Sequence, residues 1–138
     1  MQSSVHFIFE SSAFPPVAGE DEETNPGIFG RGLSEWLAEQ LRGAGYEVKR
    51  LIAEDFGRLI EVAQPGCKLY VAASSTDGTA AEWRVFAFAE FGFFATLKGA
   101  PSGAEAVSKL MAALKGILSA SSQIRALREE TTNNSQQA

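Results

Sequence analysis

Between residues 25 and 45, the apolar side chains Ile28, Phe29, Leu33, Trp36, Leu37, Leu41 and Ala44 recur at steps of three and four. That spacing gathers them on one stripe of an α-helix, the helix on which a sheet is expected to rest. The ends carry their own signals. Asn25 offers a capping oxygen, Pro26 suits the first helical position, and Gly45 suits a left-handed cap. Val107, Leu110, Met111, Leu114, Ile117 and Leu118 predict a second amphipathic helix reaching residue 119, opened by a capping box of Ser102 and Glu105.

Elsewhere the period falls to two. Residues 5–9 read as a first strand buried on both faces, and residues 46–52, 59–63, 68–73 and 82–90 as four more, separated by the turn-rich pieces AEDFG, QPG and SSTDG. In the strand 82–90, Trp83, Val85, Ala87 and Ala89 fall on one face and Arg84, Phe86, Phe88 and Glu90 on the other. Phe91, Phe93, Phe94 and Leu97 suggest a further short strand after Gly92. Residues 123–130 fit either a short helix or an edge strand.

The expected fold is α+β, a two-layer sandwich. An antiparallel sheet of about five strands carries two main helices on one face, in the order β-α-β-β-β-β-α with a short last element left open. Residues 1–130 are expected to form a single domain, and residues 131–138, TTNNSQQA, a disordered polar tail.

Composition narrows the function classes. The chain has 138 residues, 45% hydrophobic and 21% charged, with a net charge of -5. An acidic balance argues against nucleic acid, whose phosphates demand clustered Lys and Arg. Residues 1–66 hold five Lys/Arg against eleven Asp/Glu, and residues 67–138 seven against six, so the acidity is concentrated in the first half. Such a surface attracts a basic partner. The lone Cys67 closes no internal disulfide, the start lacks the basic segment of a signal peptide, and no apolar run approaches the roughly 20 residues that cross a bilayer. These features predict a cytoplasmic protein that is not bound to membrane.

Candidate chemistry is sparse. Gly27, Gly30 and Gly32 do not follow a phosphate-loop spacing, and Glu20, Asp21, Glu22 and Glu23 precede them and would repel a phosphate. Those four acids suit a helix N-terminus and lack the spacing of a calcium loop. Arg31 opposes the helix dipole there and so calls for a carboxylate, internal or on a ligand. Glu54 and Asp55 pair two carboxylates in a turn. His6 is the only histidine, and without nearby metal ligands it does not make a zinc site. No metal or cofactor is expected.

The string NPGIFGRGLSEWLAEQLRGAGYEV followed by AEDFG resembles a group of small uncharacterised bacterial proteins with an NPG-x-FGR start, a Trp-Leu helix and a Glu-Asp-x-Gly turn. The likeness covers residues 15–62. Relatives carry an aromatic after the turn glycine, where this chain has Arg58. The resemblance implies no activity. It implies that Asn25, Gly27, Phe29, Gly30, Arg31, Trp36, Glu54, Asp55 and Gly57 form one constellation, with Arg31 pairing Glu54 or Asp55.

Three functions are compatible with these features. The leading one is a non-enzymatic binding protein, immunity- or antitoxin-like, that engages a basic protein partner through Glu20, Asp21, Glu22, Glu23, Glu54 and Asp55. The second is a small-ligand domain whose aromatic pocket, lined by Trp83, Phe86 and Phe88, uses Arg31 as the anchor for an anion. The third is a small enzyme using Glu54 and Asp55 with His6 or Cys67. The sequence leaves a homodimer through an exposed strand edge open.

Overall fold

A computed structural model describes residues 3–90 and 103–133. Six strands, β1 (Ser3–Glu10), β2 (Val48–Glu54), β3 (Gly57–Val62), β4 (Lys68–Ser75), β5 (Glu82–Glu90) and β6 (Arg125–Asn133), make one sheet. Its order is β2-β3-β4-β5-β1-β6, and every neighbouring pair is antiparallel. Among the described residues two α-helices, α1 (Arg31–Gly43) and α2 (Gly103–Ala120), complete an α+β architecture.

Alternation divides each strand between two environments. Phe7, Phe9, Ile60, Val62, Leu69, Val71, Trp83 and Val85 point to the helices and meet Leu33, Leu37 and Leu41 of α1 and Leu110, Leu114 and Leu118 of α2. Those six helical leucines are essentially without solvent exposure, as their three- and four-residue spacing requires. The opposite face carries a second cluster, Leu59, Tyr70 and Ala72 with Ile52, Phe86 and Phe88. Every member of that cluster comes from a strand.

The structure differs from the expected elements at three places. The sheet has six strands, because the undecided segment after α2 pairs with β1 as β6 and runs on to Asn133, past the expected start of the tail at residue 131. Glu129 and Glu130 account for its polar look: β6 is an edge, where one ion pair reaches α2 (Lys115 to Glu129, 3.0 Å) and another reaches β5 (Arg84 to Glu130, 3.1 Å). Second, α1 starts at Arg31, six residues after the expected cap. Gly27 takes a left-handed φ of 81°, which breaks the helix, and the carbonyl of Gly30 accepts the first helical bond, from Ser34. Third, β2 and β3 meet in a two-residue turn at Asp55 and Phe56, closer to residue 56 than the sequence pattern indicates. The expected short strand at Phe91, Phe93, Phe94 and Leu97 lies outside the described residues, as do Ser102 and residues 134–138.

Candidate functional site

The loop between β1 and α1 is held by its own acids. Glu20 is only 3% exposed. One of its carboxylate oxygens accepts the amide of Val17 at 2.8 Å, and the other accepts the amides of Gly30 and Arg31, each at 3.0 Å. Gly30 has no side chain to cap α1, so a carboxylate from ten residues earlier takes the free N–H groups and sits at the positive end of the helix dipole. Asp21 likewise accepts the amide of Gly27 at 3.0 Å.

Arg58 lies beneath this loop, 8% exposed. Its guanidinium reaches Glu23 at 2.9 Å and donates to the Glu20 carbonyl at 3.1 Å, while its Nε has no partner. Arg58 is thus a buried cation that ties the loop to β3.

Backbone bonds complete the junction. The amide of Asn25 donates to the carbonyl of Asp55 at 2.9 Å, and Ser75 and Phe29 exchange two bonds, Ser75 N–H to the Phe29 carbonyl and Phe29 N–H to Ser75 Oγ. Segment 25–30 therefore lies across the ends of β3 and β4. Gly30 comes so close that a Cβ there would stand 2.8 Å from the Ala73 carbonyl oxygen.

Of the residues expected to form one constellation, these contacts join Asn25 to Asp55 and set Phe29 and Gly30 against β4. Arg31 does not pair with Glu54 or Asp55; its exposed side chain bonds Glu35 one turn along α1, at 3.4 Å. What the structure does bring together is the loop carrying Glu22 and Glu23 and the turn carrying Glu54 and Asp55, all four exposed. Phe56, 51% exposed, stands in that turn as a large apolar side chain beside the carboxylates.

The aromatic pocket anchored by Arg31 is not present as expected. Trp83 faces the helices, is fully buried, and donates from Nε1 to the Ser11 carbonyl at 3.1 Å. Phe86 and Phe88 project from the other side of the sheet, away from Trp83 and Arg31. That outer side does hold a hollow of about 480 Å³, floored by Ile52, Leu59, Tyr70 and Phe88 and rimmed by Arg50, Glu54, Phe56 and Glu90. The residues that build it alternate correctly in sequence, but only the strand order shows that β2 and β5 flank β3 and β4 and so frame it.

The proposed catalytic combinations are not assembled. Three strands separate Glu54 on β2 from His6 on β1, and Cys67 precedes β4 at the end remote from Glu54. His6 instead stacks on Phe86 with ring centres 3.9 Å apart, its Nδ1 accepting from Arg84 at 2.8 Å. Burial and the Arg84 charge hold its pKa below the ordinary value, with Glu130 acting in the opposite sense. Burial pushes the Cys67 thiol up, away from the reactive thiolate. Among the described residues no group of three or more His, Cys, Asp and Glu is placed to hold a metal ion, and no helix is long and apolar enough to cross a membrane.

No protein-family model, curated protein or solved structure matches the chain.

Proposed function

We propose that the protein is a non-enzymatic binding protein that engages a basic protein partner through the end of the molecule where loop 20–25 meets the β2–β3 turn. The observation that carries this reading is the 2.9 Å bond from Asn25 to Asp55, which joins two separately acidic segments into one surface. Glu22, Glu23, Glu54 and Asp55 form its charged part and Phe56 supplies an apolar anchor, the combination of steering charge and desolvated aromatic found at interface hot spots. Glu20 and Asp21 belong to the scaffold of that surface. Their carboxylates hold backbone amides and do not face outward for a partner.

The division between scaffold and surface dictates the test. A fluorescent nona-arginine peptide serves as the basic probe, its affinity followed by anisotropy as salt is raised. The E22Q/D55N variant removes outward charge without touching Glu20, Asp21 or the Glu23–Arg58 pair, and E35Q/E39Q removes as much charge from the outer side of α1. Weaker binding and a shallower salt dependence in the first variant alone support the reading. Equal losses in both, or none, contradict it.

A further inference from the structure

The hollow on the outer sheet face adjoins the acidic end, sharing Glu54 and Phe56 with it. Its floor is aromatic: the Tyr70 and Phe88 rings stack with centres 5.2 Å apart. The one arginine at its rim, Arg50, is already bonded to Glu61 at 2.7 Å. Lys68, the register neighbour of Glu90, does not line it. Glu54 and Glu90 stand at the rim, and among the described residues neither makes an ion pair. The Tyr70 ring is buried in the floor, and its hydroxyl oxygen, which is not among the buried atoms that lack a partner, is open to the hollow as an acceptor. Burial, and after it the carboxylates of Glu61, Glu90 and Glu54, push the Tyr70 pKa up, with Arg50 opposing them.

From the aromatic floor and the two rim carboxylates that make no ion pair among the described residues, we infer that this hollow binds an organic cation, an alkylammonium or guanidinium group. An anion would meet Glu54 and Glu90, and a neutral apolar group would bury both without compensation. A cation gains from the faces of Tyr70 and Phe88 and from the rim carboxylates, and a guanidinium N–H can donate to the Tyr70 oxygen. The volume lies in the range of small-molecule sites and admits a side chain with its stem. Where the cation is an Arg or Lys side chain of a partner, the inference rests on the acidic-end reading and names the group captured.

The test uses the full chain, with the Tyr70 and Phe88 ring resonances followed by NMR. N-acetylargininamide and tetramethylammonium are the cationic probes, and N-acetylnorleucinamide is the neutral one. Both cations are expected to shift the two rings and the neutral analogue to leave them in place, with E54Q/E90Q weakening the cations about tenfold or more. Tyr70→Phe is expected to weaken the argininamide, which has N–H donors, and to spare tetramethylammonium, which has none. Shifts at far lower concentrations of nona-arginine than of free argininamide mark a partner's side chain as the source; comparable affinities mark a free small cation. Equal shifts from the neutral analogue, or cation binding indifferent to E54Q/E90Q, overturn the inference. Nona-arginine binding insensitive to E22Q/D55N, with the argininamide shifts intact, defeats the acidic-end reading alone.

Discussion

Asn25 and Asp55 are thirty residues apart in sequence, and the amide of the first donates to the carbonyl of the second at 2.9 Å. That backbone bond, together with the Arg58 contacts to Glu20 and Glu23, sets the acidic loop against the acidic turn. The bond is available because Gly27 bends the chain ahead of α1 and the buried Glu20 carboxylate holds Gly30 in place behind it.

Glu20 is therefore the keystone of the loop. Glu20→Ala strips three amides of their acceptor and removes a charge from the α1 N-terminus, with an expected loss of about 2–4 kcal/mol. Glu20→Gln keeps one acceptor but turns an N–H toward the amides, and falls between the two. Urea unfolding measures both.

Gly30→Ala drives a Cβ to 2.8 Å from the Ala73 carbonyl, against backbone that cannot turn aside. A loss of about 1–3 kcal/mol is expected in the same measurement. Ala126, exposed and held at a φ of 55° where β6 slips register against β1, predicts the opposite. Ala126→Gly relieves a left-handed strain of about 1–2 kcal/mol per residue at the cost of backbone entropy, for a net gain of about 0.5–1 kcal/mol.

His6 makes stability depend on pH. Its pKa in the folded protein is lowered from 6.5, so the unfolded chain binds the proton first. Stability is complete above 6.5 and falls as the pH drops below it, down to the folded value. Glu61 and Glu82, whose pKa values are lowered from 4.5 by Arg50 and by Thr76 with Arg128, lose their contribution only in more acidic solution. Urea midpoints measured between pH 7.5 and 5.5 thus isolate the histidine, and His6→Gln is expected to flatten the slope.

Phe56 has half its surface in water and lies outside both buried clusters. Phe56→Ser is expected to lower affinity for a basic partner about tenfold while leaving the unfolding free energy within about 0.5 kcal/mol.

The helix stripes and the alternation in β5 were legible because a single apolar face settles each of them. β6 stayed open between a short helix and an edge strand, because an edge strand buries little and Arg128, Glu129 and Glu130 gain their partners Glu82, Lys115 and Arg84 only in the folded sheet. The four acids before α1 look alike in sequence. Burial alone separates Glu20, which caps the helix, from Glu22, which faces water. Arg31 invited a distant carboxylate on dipole grounds, yet Glu35, one turn away, costs less order to reach. Tyr70 carries no sequence mark of its place in the hollow, because only the strand order sets it beside Phe88 and between Glu54 and Glu90.

The most direct test of the acidic-end account is a map of backbone amide shifts when nona-arginine is added to the isotope-labelled protein at low salt. The account predicts shifts concentrated at residues 21–25 and 54–57 that fade as salt is raised. Shifts centred on the outer side of α1, or spread evenly over the acidic residues of the chain, would contradict it.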